Sequence, residues 1–190
     1  MPESSPHPLN WLAVLSRILV VLPKQAMTYL YLVQHGAAKT ESEDPRRPLT
    51  DEGRRTVERM ADFLSTLELS LDRIEHSEKL RARQTAEILA AHVQPTEGIK
   101  EVAGMAPNDD IEPMRLRLQN EAKNVMFIGH LPYLSRLAAR LLGLGAERTV
   151  VRFQMGGVLR MDRDADARWA VGWLLVPELV AGSIPPKPES

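Results

Sequence analysis

Two histidines and two arginines stand out by type and place. His35 and His130 each stand beside a glycine, Gly36 and Gly129. Glycine lets the backbone turn sharply and lets a ligand come close. Both histidines follow short apolar runs, Tyr29 to Val33 and Val125 to Ile128, that read as buried strands. Ligands of open α/β sheets bind at the carboxyl ends of the strands, so the two imidazoles fall where chemistry is expected. A lone histidine is more often structural, but two at equivalent strand ends carry more weight. A helix follows soon after His130, and its free N–H groups favour an anion. Arg47 and Arg81 add planar forks of donors that match phosphate oxygens. On spacing alone, the reading of both arginines as solvated surface charge stays open. The chain has no cysteine, which removes disulfides, thiolate metal sites and cysteine nucleophiles.

The elements that must position these groups can be read in order. Thr50 caps a helix with Asp51 and Glu52 in its first turn, and Val57, Met60, Ala61, Leu64 and Leu67 recur on one face. Leu71 to His76 reads as a second strand and Leu80 to Ala91 as a helix. A weak strand near Lys100 to Val102 and a loop from Gly104 to Asp110 lead into a helix around Ile111 to Asn120. Pro132 opens a helix with Leu134, Leu137, Ala138, Leu141 and Leu142 on one face. Thr149 to Phe153, Val158 to Met161 and Trp169 to Val176 read as strands, the last two forming a hairpin through Asp162 to Ala167. Strands alternating with helices imply an α/β fold. It is a three-layer sandwich, a mainly parallel central sheet with helices on both faces and antiparallel additions at the end.

The 190 residues suffice for one domain with a sizeable core, and 44% hydrophobic with 26% charged residues is ordinary for a globular chain. A formal net charge of -1 supplies no basic field for nucleic acid or an anionic membrane, so anion binding must be local. Residues 1–26 hold one apolar run, Trp11 to Leu22, interrupted by Arg17, which is too short to span a membrane. They are expected to be an extension outside the core; a signal or membrane-surface helix is the alternative. The core domain is expected over 27–178, with a disordered tail over 179–190. The lack of cysteine fits a reducing, cytoplasmic location.

The residues themselves resemble a known family. Leu32-Val33-Gln34-His35-Gly36 is similar to the Arg-His-Gly signature of the histidine phosphatase superfamily. Arg47-Pro48-Leu49-Thr50, with Gly53 after it, resembles an Arg-Pro-Leu-Thr segment of the small SixA-type phosphohistidine phosphatases. Ser77-Glu78-Lys79-Leu80-Arg81-Ala82-Arg83-Gln84-Thr85 resembles their Ser-x-x-x-Arg-Ala-x-Gln-Thr segment, and His130-Leu131-Pro132 their His-Leu-Pro segment. The likeness runs from about Met27 to Val176.

The resemblance implies a phosphoglycerate-mutase-like fold and a phosphatase working through a phosphohistidine on His35. Arg81 and His130 would hold the phosphoryl oxygens, and Gln34, Gly36 and Arg47 would line the phosphate. No metal or cofactor is implied, because cationic side chains supply the charge. Larger members carry a helical insertion before the second catalytic histidine; here only residues 92–129 intervene. That short stretch suits a phosphohistidine-bearing protein better than a small phosphorylated metabolite, with the enzyme a monomer. Glu101 and Asp109 lie where a general acid could come from, though water-exposed loop carboxylates are the plainer reading.

One residue departs from the pattern. Gln34 stands where the family has arginine, and an amide carries no charge. Loss of one such contact in a dry site costs on the order of 10²–10³ in rate. Arg46 or Arg83 could fill the gap, the enzyme could be slow, or the domain could bind phosphorylated partners without turnover.

Overall fold

The segment TYLYLVQ builds the strand on which everything else hangs, β1 (Thr28–Gln34). The computed structural model describes residues 27–180. The expectations for residues 1–26 and for 181–190 lie outside them. Along β1 the side chains alternate between faces, as strand geometry requires. Tyr31 and Val33 enter one core, and Leu30 and Leu32 enter the other.

Five further strands complete the sheet: β2 (Arg73–His76), β3 (Ile99–Glu101), β4 (Val125–Gly129), β5 (Val158–Arg163) and β6 (Trp169–Leu175). Their order is β3-β2-β4-β1-β5-β6. The first four are parallel, and β5 and β6 join antiparallel. The mainly parallel sheet expected from the sequence is therefore present, with its antiparallel additions.

The first core lies under α1 (Asp51–Ser65) and α2 (Leu80–Val93), through residues such as Val57, Met60, Leu64, Ala86 and Leu89. The second lies under α3 (Glu112–Gln119) and α4 (Tyr133–Leu141), through Met114, Leu118, Leu134 and Leu137. A short α5 (Pro177–Val180) returns to the first core, and Val180 is buried there, just past the boundary expected at 178. Each fully buried Leu, Val or Met contributes about 1.5–3 kcal/mol, so both helical layers are held chiefly by these faces. No helix among the described residues is long and apolar enough to cross a membrane.

Several local expectations need correction. Thr149 to Phe153 is not a strand. The place beside β1 belongs to β5, so Val150, Val151 and Phe153 pack against the second core instead. Leu67 falls beyond the end of α1 and is 42% exposed. Leu142 caps α4 rather than continuing it. The edge strand β3 starts one residue earlier than expected and is exposed throughout.

Candidate active site

Register places the functional side chains at one level. Val33 pairs with Ile128, and Ile128 with His76, so β1, β4 and β2 end together. The His35 N–H then donates to Gly129 O at 3.2 Å, and the Ser77 N–H to Ile128 O at 3.1 Å. Three strand ends thus deliver His35, Ser77 and His130 to one place. All three are buried.

The loop that carries His35 is clamped from both sides. Thr50 caps α1, accepting from the Gly53 N–H at 2.9 Å, and its own N–H donates to Ala37 O at 2.9 Å. Gly53 is required there, because a Cβ would lie 2.0 Å from Ala37 O. From α2, the Thr85 hydroxyl accepts from the Gly36 N–H at 3.1 Å, and Gln84 Oε1 accepts from the Leu49 N–H at 2.8 Å. Gly36 is equally constrained, since its Cβ would meet Val57 Cγ2 at 2.7 Å. The motif residues Thr50, Gly53, Gln84 and Thr85 thus act on the backbone of the loop.

The tautomer of His35 follows from its contacts. Its Nδ1 lies 2.7 Å from Gly36 O, and a carbonyl only accepts, so Nδ1 carries the proton. The lone pair is then on Nε2, where it accepts from Arg81 Nε–H at 3.1 Å. Burial drives the His35 pKa down to about 4, aided by the charges of Arg81 and Arg47, while the Gly36 bond resists. His130 is lowered to about 3, first by burial and then by His35, Arg81, Lys79 and Arg47. The two rings lie with centroids 4.9 Å apart, tilted at 56° to each other. Both are neutral near neutral pH.

The cations around them are short of counter-ions. Arg81 is 8% exposed, and its pKa is lowered by burial and then by the like charge of Arg47. Among the described residues no carboxylate pairs with Arg81 or Arg47. Arg47 occupies the left-handed region at φ 49°, and its Nε donates to Lys39 O at 3.3 Å. Such backbone strain collects at functional sites. The helices α2 and α4 begin without a side-chain cap, at Lys79 and Pro132. Bare helix N-termini add partial positive charge. The arrangement offers a neutral imidazole lone pair surrounded by unmatched positive charge, a setting that suits an oxyanion.

The remaining sequence candidates divide. Gln34 is buried and its Oε1 meets no partner. Arg46 pairs with Asp44 at 3.6 Å and Arg83 with Glu87 at 2.8 Å, both on the surface, so neither supplies the charge that Gln34 lacks. Asp109 accepts from the Ala106 N–H at 2.7 Å within its own loop, and Glu101 lies on the exposed edge strand. Neither makes a contact with His35 or His130. Ser77, which in the sequence is one letter of a motif, places its hydroxyl 2.6 Å from His130 Nε2. The signal for it was its place: a polar residue directly after the predicted end of a central strand.

Comparison with known proteins agrees with this fold. Residues 30–107 match the model of the histidine phosphatase superfamily (branch 1). An uncharacterized protein of Picosynechococcus sp. is 36% identical over 118 residues, covering 57% of this chain and 70% of that protein. Among solved structures, the protein histidine phosphatase SixA complexed with tungstate aligns with a TM-score of 0.72 and 25% identity, over 80% of this chain and 99% of that one. A SixA-type protein of Agrobacterium tumefaciens aligns with a TM-score of 0.65 and 25% identity, over 79% and 98% of the two chains. With four ordered motifs, a shared fold and these relatives, the chain belongs to the histidine phosphatase superfamily.

Proposed function

We propose that the protein is a phosphatase that removes the phosphoryl group from phosphohistidine on a partner protein. The observation that carries this is the fixed tautomer of His35, whose Nδ1–H is held by Gly36 O so that the Nε2 lone pair faces the cationic pocket. In this reading Nε2 attacks phosphorus, the bond from phosphorus to the substrate imidazole breaks, and His35 becomes a phosphohistidine. Water then attacks the same phosphorus, and inorganic phosphate leaves with His35 restored. Arg81 and His130 hold the phosphoryl oxygens as charge shifts in the transition state, and Arg47 adds positive potential. The leaving imidazole has an ordinary pKa of about 6.5, so it needs little protonation help, and among the described residues the hydrogen-bond partners of the His35 ring are Gly36 O and Arg81 Nε, not a carboxylate.

Two observations favour a protein substrate. Between α2 and β4 the described chain holds only the short strand β3, the eight-residue helix α3 and their loops, with no helical insertion. The 25% identical SixA structure is that of a protein histidine phosphatase, solved with tungstate, an oxyanion of phosphate shape. The test is to incubate the protein with a phosphohistidine-carrying domain. Phosphate is released, and His35→Ala abolishes release; equal release by that variant overturns the nucleophile assignment.

A second reading, a phosphate-binding module without turnover, is favoured by Gln34 together with the surface pairing of Arg46 and Arg83. It predicts tungstate binding with no turnover on any substrate and activity created by Gln34→Arg. Robust turnover by the unaltered protein removes it.

A further inference from the structure

Ser77 Oγ and His130 Nε2 lie 2.6 Å apart, with the two residues 1% and 2% exposed. The other ring nitrogen, Nδ1, is buried and meets no partner. Burial and then the neighbouring His35, Arg81, Lys79 and Arg47 keep this imidazole neutral, so it offers one donor and one acceptor. Two tautomers compete. With the proton on Nδ1, a buried N–H donor goes unmet. With the proton on Nε2, that donor goes to Ser77 Oγ, and only a lone pair is left unmet. Buried orphan donors are rarer than buried orphan acceptors. The second arrangement is therefore the favoured one.

Ser77 is itself fixed. Its N–H donates to Ile128 O at 3.1 Å, and its Oγ accepts from the Lys79 N–H at 3.4 Å, at the start of the helix that carries Arg81. The hydroxyl thus ties His130 to the same rigid frame as Arg81.

We propose that Ser77 is a positioning residue that holds His130 in the Nε2–H tautomer, keeping a neutral donor ready for a phosphoryl oxygen. On arrival of the anion the N–H exchanges the serine oxygen for a charged one. A charge-assisted hydrogen bond is about twice as strong as a neutral one, so the exchange favours the anion and the transition state most of all. Without the serine, the ring is free to present its lone pair instead, which repels an oxyanion. This rests on the phosphatase reading for its consequence in rate, but not for the tautomer itself.

The experiment is ¹⁵N NMR of the histidine rings, with His130 assigned by comparison with His130→Asn. The unaltered protein shows the neutral Nε2–H pattern at pH 7, Ser77→Ala shifts it toward the Nδ1–H form, and Ser77→Thr restores it. With a phosphohistidine-carrying domain as substrate, Ser77→Ala loses on the order of tenfold in kcat, about one hydrogen bond's worth, with KM little changed. A merely structural serine would lower the melting temperature and leave the tautomer alone. A proton on Nδ1 in the unaltered protein overturns the proposal, and so does a Ser77→Ala variant with unchanged tautomer or unchanged kcat. If Ser77→Ala does not fold, the spectrum of the unaltered protein decides. If the unaltered protein turns over no substrate, the phosphatase reading falls and the spectra alone decide the positioning role.

Discussion

At the edge of the sheet, Glu75 is clasped by Arg73 and Arg117, while at the strand ends Arg81 lies buried beside a histidine lone pair. Both regions take charge out of water. Glu75, 1% exposed, accepts from Arg117 at 2.5 and 2.7 Å and from Arg73 at 2.6 Å, and Glu121 closes the group by pairing with both arginines. That cluster is balanced from within. Arg81 and Arg47 are not balanced by any described carboxylate, and the charges of both help hold two neighbouring histidines neutral. A buried charge needs a partner. The Glu75 cluster has its partners in the sequence, whereas the strand-end cluster, in the proposed reading, takes one that arrives from outside. The difference separates charge used to build from charge used to bind.

The contrast can be broken by substitution, beginning with the largest effect. Glu75→Ala leaves two half-buried arginines sharing Glu121 without their central anion and destabilises the fold by about 3–5 kcal/mol. Phosphate release per folded molecule stays the same. Urea unfolding and turnover on one preparation read both, and a stable Glu75→Ala protein would show that the cluster is not a balanced unit. Arg81→Ala has the converse signature. Turnover falls on the order of 10²–10³, as for removal of one oxyanion donor, while stability changes by less than about 1 kcal/mol, because no unpaired charge is left behind. Loss of stability equal to that of Glu75→Ala would erase the distinction.

Acid sharpens the comparison with a smaller effect. His35 and His130 ionise near about 4 and about 3 in the fold, against an ordinary 6.5, so the unfolded chain takes up their protons first. Their share of stability is full above pH 6.5 and is lost as pH falls toward 4. Burial pushes the Glu75 pKa up, but the bonds from Arg117 and Arg73 outweigh it and hold the group below its ordinary 4.5. Its share is therefore present above pH 4.5 and is lost only below that. Unfolding midpoints measured from pH 7 to about 2 fall in two stages, with His130→Gln flattening the upper stage and Glu75→Gln the lower one. A single stage untouched by His130→Gln would contradict the neutral histidines.

Much of the frame was legible in the chain. The apolar runs around Tyr31 and Val125 are buried on both faces, and such strands announce themselves by composition. His35 and His130 could be placed because the strand ends could be placed. Thr149 to Phe153 misled because apolar β-formers that cover a core look the same as those that join a sheet; only the pairing of β5 with β1 decides. Leu67 was taken into the helix because periodicity does not mark where Ser65 ends it. Ser77 escaped notice because a hydroxyl's partner, 53 residues on at His130, is a matter of distance and not of spacing. The surface pairing of Arg46 and Arg83 was equally invisible, since guanidinium groups reach far and choose their carboxylates in three dimensions.

The seam between Gly53 and Ala37 has a mechanical consequence. A joint formed by backbone against backbone has no rotamers to hop, so it cannot loosen by degrees. Helix and loop are joined into one body, and His35, the proposed nucleophile, rides on it like a tool on a solid mount. Wear at such a mount shows as failure rather than drift. Adaptation of this catalyst to new targets must therefore come from the groups that face His35, with the ground beneath it left untouched.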